Sequence, residues 1–579
     1  MRESFLTLWP YMRRYRRGLW LGIGSLILKD LAHAAVPLVI GFAVDALTAR
    51  RPFLVILRFA LLLVALAAVR GLFQFWMRVI LIGISRDIEY DLRNDLFAHL
   101  VSLSPDFYAR QRTGDIMARA TNDLNAVRMM LGPGIMYWAE TSLTFVLAIS
   151  VMAFKDWRLM LLAVLPAPLV SVAVMLFGRA IHERFEAIQA MFSDISSRVQ
   201  ENLSGVRMVR AFVQEAAELR RFEKLNQDYI SQNLRLVRIS GLFQPLLEGL
   251  IGVTFLMVLW EGGSQVLQHR ISMGGFVMFN TYMGMLVWPM IALGWVVNLM
   301  QRGTASMSRI NQIMHEKATI AAPLSPVPMP RTRGEIEFRG VTLEYPSGRA
   351  LNHVDLLIPA GATLAVVGHT GSGKSTLVSL VPRLMDPTAG AVYLDGVNLR
   401  DLDPAELRRH IGFVPQETFL FSATLAENIA FGVEHATPND IRRAAELAGL
   451  AGDIESFPNG YETMVGERGI TLSGGQKQRT AIARALLRDP RILILDDALS
   501  SVDTLTEERI LSGLSEVMHG RTVILISHRV STVRQADSIV VLEKGRVVEQ
   551  GTHAQLVSTG GYYADLSQKQ MLEEELEAI

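Results

Sequence analysis

The stretch Gly368-His369-Thr370-Gly371-Ser372-Gly373-Lys374-Ser375-Thr376 carries the densest chemistry in the chain. It follows Ala365-Val366-Val367, which reads as a short buried strand, and precedes Leu377-Val378-Ser379-Leu380-Val381, which reads as a helix. Glycines at this spacing let backbone N–H groups approach phosphate oxygens, and the helix N-terminus adds a favourable dipole. In such a P-loop, Lys374 reaches the β- and γ-phosphates of a nucleotide and Ser375 ligates Mg²⁺. Further on, Leu472-Ser473-Gly474-Gly475-Gln476 opens a second helix as an anion cradle, which makes sense if it covers a phosphate held elsewhere. Ile492-Leu493-Ile494-Leu495 is an apolar strand ending at Asp496, a carboxylate suited to hold Mg²⁺ through water.

These motifs sit in the second half of a 579-residue chain whose halves differ. Residues 1–320 hold 33 Lys/Arg against 23 Asp/Glu, and residues 321–579 hold 24 against 33. A basic, apolar half followed by an acidic, polar one reads as a membrane domain and then a soluble one, and acidity there argues against nucleic acid as a partner. Half the residues are hydrophobic and mean hydropathy is +0.27, which excludes disorder. Cysteine is absent, so disulfides, zinc ribbons, iron–sulfur clusters and thiol catalysis are excluded.

A bilayer core needs about 20 apolar residues per helix. Six such stretches lie near 19–44, 53–83, 132–154, 157–180, 241–262 and 275–300, the second interrupted by Arg58, Arg70 and Arg78. No signal peptide is apparent; Arg13, Arg14, Arg16 and Arg17 beside Trp9, Tyr11, Tyr15 and Trp20 suit an interfacial helix at the cytoplasmic face. Short connections alternate with long ones, and the long ones are expected inside. In the first of these, Ile88, Leu92, Leu96 and Leu100 recur at helical spacing, so the membrane helices should continue beyond the bilayer. Lys29, Asp30, Glu140, Glu248 and Glu261 lie within spans and are functional candidates. Lys29 and Asp30, being adjacent, are expected on different helix faces with no need to pair. The last span is rich in soft, large groups, Met278, Phe279, Met283, Met285, Trp288, Met290 and Trp295, which suit either a polyspecific cavity or ordinary packing. Four prolines in residues 321–333 mark a linker, after which strands and helices alternate.

The P-loop, the Leu-Ser-Gly-Gly-Gln signature and the Ile-Leu-Ile-Leu-Asp strand, in this order after six spans, resemble an ABC transporter half-molecule of exporter type along essentially the whole chain. The resemblance implies an all-α six-helix transmembrane domain (1–320), a linker (321–333), an α/β P-loop (RecA-like) ATPase domain with a helical subdomain near 418–488 (334–570), and an acidic tail (571–579). It implies ATP and Mg²⁺ as ligands, short coupling helices near 105–120 and 205–222, and a dimer in which one chain's P-loop faces the other's Ser473, Gly474, Gly475 and Gln476. By the same resemblance, Tyr345 stacks on adenine and Gln416 touches Mg²⁺ alongside Ser375 and Asp496. His528 contacts the γ-phosphate, Val465–Gly469 meets the intracellular helices and Ser500–Asp503 forms the D-loop.

One position departs from the family pattern. A glutamate that polarises the attacking water normally follows the Walker B aspartate; here Asp497 stands there. Aspartate keeps the charge but withdraws the carboxylate by about 1–1.5 Å, a shift able to cost on the order of 10²-fold where positioning is critical. This resembles the degenerate-site subunit of heterodimeric bacterial multidrug exporters, whose intact signature serves the partner's competent site. The chain is therefore expected to export hydrophobic or amphipathic compounds across a bacterial inner membrane. Its ATPase domain would be cytoplasmic and its partner a second half-transporter bearing the catalytic glutamate. The alternatives are a homodimeric lipid or glycolipid flippase and a regulatory ATP-binding subunit. Membrane-then-ATPase order on one chain disfavours an importer, and nothing favours an ATP-gated channel.

Overall fold

The computed structural model describes residues 2–329, 332–346, 348–466, 472–500 and 504–577. The chain divides into two compact units: Met1–Val101 with Arg112–Glu316, and Ser102–Gln111 with Lys317–Ile579.

The first unit is helical. After α1 (Arg2–Arg14) come α2 (Arg16–Thr48) and α3 (Phe53–Ser102). The expected stripe of Ile88, Leu92, Leu96 and Leu100 is buried, which carries α3 well beyond membrane length. The short α4 (Pro105–Arg110) belongs to the second unit. A third long helix runs through α5 (Thr113–Ala118), α6 (Leu124–Met129) and α7 (Ile135–Lys155), joined by two π-helical turns, Arg119–Asp123 and Met130–Gly134. The first π turn presents buried Asp123, which accepts hydrogen bonds from Ser306 Oγ at 2.9 Å and from Arg309 Nε at 2.8 Å. A break at Leu165–Pro166 separates α8 (Trp157–Val164) from α9 (Ala167–Ser204). Then follow α10 (Val206–Ala211), α11 (Glu215–Leu267) and α12 (Met273–Met314). Among the described residues, six helical runs are thus long and apolar enough to cross a membrane. Bare apolar groups such as Phe154, 91 % exposed, and Trp260, 81 % exposed, stand on their outer faces, where lipid and not water is a tolerable solvent.

The expectation that Lys29 and Asp30 need not pair is corrected. Lys29 Nζ lies 2.8 Å from Asp30 Oδ1 and 2.5 Å from Glu140 Oε1 on α7. The four-carbon stem lets the ammonium fold back to its neighbour, and an apolar interior leaves a buried charge no cheaper option than pairing. Glu248 and Glu261 instead accept bonds from Gln244 and Gln265, one turn away on α11, each at 3.1 Å. The soft residues of the last span divide. Met278, Phe279 and Met283 are buried in an interhelical core with Tyr282, whose hydroxyl donates to the Ala34 carbonyl. Met290 lines a cavity of about 340 Å³ with Thr141, Ser142, Phe145, Val164 and Pro168.

In the second unit, β1 (Ile336–Tyr345), β2 (Gly348–Ile358), β4 (Ala389–Leu394) and β5 (Val397–Asn398) form an antiparallel sheet in the order β2-β1-β4-β5. The main sheet contains β3 (Thr363–Val367), β6 (Ile411–Val414), β7 (Ile492–Asp496), β8 (Thr522–Ile526), β9 (Ser538–Glu543) and β10 (Arg546–Gly551). Its order is β10-β9-β3-β8-β7-β6, parallel except at the β10 edge. Strands β7 and β8 are buried along their whole length, which explains runs such as Ile-Leu-Ile-Leu with no polar alternation. The helices are α13 (Lys374–Ser379), α14 (Pro404–Arg409), α15 (Leu425–Ala430), α16 (Pro438–Leu447), α17 (Ala451–Ser456) and α18 (Gly474–Leu487). After them come α19 (Thr504–Met518), α20 (Val530–Val533), α21 (His553–Thr559) and α22 (Tyr562–Glu577). Apolar residues of α15 to α18 share one core with β7 and β8, so the helical subdomain is anchored on the sheet.

Candidate nucleotide site

Four parallel strands deliver the site from their carboxyl ends, where open α/β sheets bind ligands. Strand β3 runs into the P-loop, β6 leads to Gln416, β7 ends at Asp496 and Asp497, and β8 leads to His528. These residues line one cavity of about 320 Å³, together with Tyr345, Thr370, Gly371, Gly373, Lys374, Ser375 and Thr376. Ala350 and Ile526 complete its wall, and no motif in the sequence signalled them. Gly368, His369 and Ser372 shape the loop without lining this cavity.

The glycines are required by space. Gly368 and Gly373 have φ of +148° and +102°, and a Cβ would come within 2.2 Å of the Leu542 carbonyl and 2.5 Å of the Ala350 carbonyl. Gly373 caps α13 without a side-chain hydrogen bond, so the first N–H groups of that helix stay available to an anion. Lys374 Nζ donates to the Gly368 and His369 carbonyls at 2.8 and 2.9 Å, which holds the loop folded over its own lysine. Burial pulls the Lys374 pKa down, and Asp497 and Asp496 partly offset this. Ser375 Oγ donates to Asp496 Oδ1 at 3.1 Å. Burial raises the Asp496 pKa, the Ser375 bond opposes the rise, and the Asp497 charge adds to it. The Ser375 hydroxyl, the Asp496 carboxylate and the Gln416 amide are all oxygen donors, the set a hard divalent cation such as Mg²⁺ prefers, so the site fits that ion.

Asp497 occupies a left-handed conformation with φ of +49°. Aspartate is among the few side chains enriched there. Its backbone is pinned from both sides: N–H donates to the Ile526 carbonyl at 3.1 Å, and its carbonyl accepts from Ser500 Oγ at 3.0 Å. Gln416 Nε2 stands 3.5 Å from Asp497 Oδ2, a long contact that turns the carboxylate toward the Gln416 side of the cavity.

The signature residues are not among the cavity's lining. Ser473 caps α18, accepting from the Gln476 N–H at 3.2 Å while Gln476 Oε1 accepts from the Ser473 N–H at 3.0 Å. Gln476 Nε2 also donates to Asp453 Oδ1 at 2.9 Å. The start of α18 is thus braced by its own cap and by Asp453, and it does not line the P-loop cavity. Of the expected exporter loop and D-loop, Glu467–Gly469 and Ser501–Asp503 lie outside the described residues.

Comparison with known proteins agrees with this construction. The ABC transporter transmembrane region family matches residues 19–290, and the ABC transporter family matches residues 351–500. A probable multidrug resistance ABC transporter ATP-binding/permease protein of Bacillus subtilis, YheI, is 39 % identical over 87 % of this chain and 87 % of its own length. The multidrug resistance-like ATP-binding protein MdlA of Escherichia coli is 38 % identical over 98 % of this chain and 97 % of its own. An ATP-dependent lipid A-core flippase of Syntrophus aciditrophicus is 36 % identical over 89 % and 86 %. Among solved structures, a bacterial Atm1-family ABC exporter with ATP bound superposes with a TM-score of 0.80 at 29 % identity, over 96 % of this chain and 99 % of that one. The chain belongs to the ABC transporter family: it is an exporter-type half-molecule, an integral membrane protein in which an ATPase that drives transport is fused to its own six-helix membrane region.

Proposed function

We propose that this chain exports hydrophobic or amphipathic compounds as one subunit of a heterodimer, and that the site built on its own P-loop binds ATP and hydrolyses it slowly. The observation that carries the reading is Asp497 at the water-positioning place, beside an intact signature and an intact His528. Lys374 and the P-loop N–H groups hold the phosphates, Tyr345 the adenine, and His528 the γ-phosphate. Ser375, Asp496 and Gln416 hold Mg²⁺, which when bound neutralises developing phosphate charge. Asp497 accepts a hydrogen bond from the attacking water, but from a carboxylate set back by one methylene. Ser473, Gly474, Gly475 and Gln476 serve the partner's nucleotide. Binding of ATP favours the closed pair of ATPase domains only through contacts absent from the open pair, and that difference drives alternating access.

For cargo, the 340 Å³ cavity is the guide: Phe145, Val164, Pro289 and Met290 supply an adaptable apolar wall, Thr141, Ser142 and Ser171 supply hydroxyls, and among the described residues no charged side chain lines it. Neutral or weakly polar amphiphiles suit such a wall better than anionic headgroups. The membrane is a bacterial inner membrane, with the ATPase domain on the cytoplasmic side.

Affinity purification of this chain from its native membrane, with mass measurement of the intact complex, tests the reading. A different half-transporter at one-to-one stoichiometry, carrying glutamate at the equivalent place, is the expected result. A dimer of this chain alone overturns it and makes Asp497 the working residue at both sites.

A further inference from the structure

The loop that carries His528, residues 527–529 and here called the H-loop, joins the end of β8 to α20, and its backbone is held by a side chain from near the end of the sequence. Gln570 on α22 accepts from the Val530 N–H at 2.7 Å and donates through Nε2 to the His528 carbonyl at 2.7 Å. The Val530 N–H opens α20, whose N-cap residue Arg529 makes no side-chain capping bond to the helix, so Gln570 provides the cap from outside. One amide therefore satisfies a donor and an acceptor on both sides of residue 529, a pairing that only a side chain with both functions can make. Helix α22 is itself fixed. Glu549 accepts from the Tyr562 N–H at 2.6 Å and the Tyr563 N–H at 3.3 Å at its start, and Tyr563 is buried in a core shared with Val530 and Val533. Its first residue, Tyr562, sets its ring edge-on to His369 of the P-loop with centroids 4.6 Å apart. The helix thus touches both loops that border the phosphate end of the cavity.

We propose that Gln570 is a positioning residue for the nucleotide site: by clamping the H-loop backbone it sets the direction of the His528 imidazole toward the terminal phosphate, and so sets the preference of this site for a triphosphate over a diphosphate. The inference rests on the γ-phosphate reading of His528 given above. Gln570 does not line the nucleotide cavity, so a diphosphate, which lacks the group His528 would meet, should not sense its loss.

The test uses the full transporter in lipid nanodiscs, with photoreactive azido-adenine tri- and diphosphates and labelling read on this chain alone. Gln570→Met removes both hydrogen bonds at similar volume; half-labelling by the triphosphate is expected to need about fivefold more nucleotide, with the diphosphate unchanged. Gln570→Glu keeps the acceptor for Val530 and loses the donor, and is expected to fall between Gln570→Met and the native chain. Gln568→Met, the same change at an exposed position of the same helix, should alter neither. His528→Ala provides the reference loss. Equal weakening of both nucleotides in Gln570→Met would mark a purely structural role and overturn the proposal, as would no change in either. If His528→Ala shifts the ratio and Gln570→Met does not, the proposal alone falls; if His528→Ala shifts nothing, the reading of His528 falls with it.

Discussion

Each unit of the molecule buries a lysine beside carboxylates, and the two lysines are used in opposite ways. In the membrane unit, Lys29 ion-pairs with Asp30 at 2.8 Å and Glu140 at 2.5 Å. In the nucleotide unit, Lys374 rests on two carbonyl oxygens while Asp496 is occupied by Ser375. The first arrangement compensates its own charge and holds α2 to α7. The second keeps an ammonium on weak, exchangeable acceptors, so an incoming phosphate can displace them and gain a full charge-assisted bond. A buried cation marks a ligand site only when its partners are poorer than the ligand.

The largest effect expected from breaking this contrast is in the membrane unit. Lys29→Met leaves the buried Asp30 carboxylate and the partly exposed Glu140 carboxylate without their cation, and should lower stability by about 3–5 kcal/mol. The triple change Lys29→Met, Asp30→Asn, Glu140→Gln should recover most of that loss, because the cost comes from the uncompensated charges. Thermal unfolding of the detergent-solubilised protein reads both, and a triple variant as unstable as the single one would show that the cluster does more than balance charge.

In the nucleotide unit the corresponding change costs binding and not folding. Lys374→Ala should weaken triphosphate labelling of this chain by about 10²-fold, the value of a pair of charge-assisted hydrogen bonds, with little shift in melting temperature. Loss of the folded protein instead would mean that Lys374 is as structural as Lys29.

The smallest effect concerns Asp496. Its folded-state pKa is raised above the ordinary aspartate value, with burial the largest cause. A raised value means that the carboxyl contributes its stability while protonated, below the ordinary aspartate range, and loses it as pH rises through the folded-state value. At neutral pH the nucleotide-free protein therefore carries this cost. Asp496→Asn should raise its melting temperature, because the amide has no charge to desolvate. The gain should shrink as pH falls toward the ordinary aspartate range, and Mg²⁺-ATP should no longer stabilise the variant. A gain independent of pH would point to a cause other than charge burial.

The sequence exposes the chemistry that is local in the chain. The P-loop, the signature cap and the strand ending at Asp496 are contiguous stretches whose backbone needs are written in their glycines, their serine cap and their apolar runs. The length of α3 is legible for the same reason, in the four-residue recurrence from Ile88 to Leu100. What stays hidden joins residues far apart. Nothing local marks Gln570 as the clamp of His528, 42 positions away, or Glu140 as the partner of Lys29, 111 positions away. The π turn that presents Asp123 to Arg309 is equally silent, because hydrogen-bond register inside a helix leaves no compositional trace. The adjacent pair Lys29 and Asp30 misleads through helical geometry, which fixes the backbone but not the reach of a long side chain.

The proposed slow turnover rests on Asp497, whose carboxylate is one methylene shorter than the glutamate of the family pattern. Its backbone hydrogen bonds to Ile526 and Ser500 should hold a longer side chain in the same left-handed conformation, at a cost of order 1–3 kcal/mol in stability. The most direct measurement is single-turnover hydrolysis of ATP bound at this chain's own site in the assembled transporter, with Asp497 and with Asp497→Glu. The account predicts a rise of about 10-fold to 10²-fold in the rate, with triphosphate affinity unchanged. An unchanged or slower rate, in a variant that folds and binds ATP normally, would contradict it.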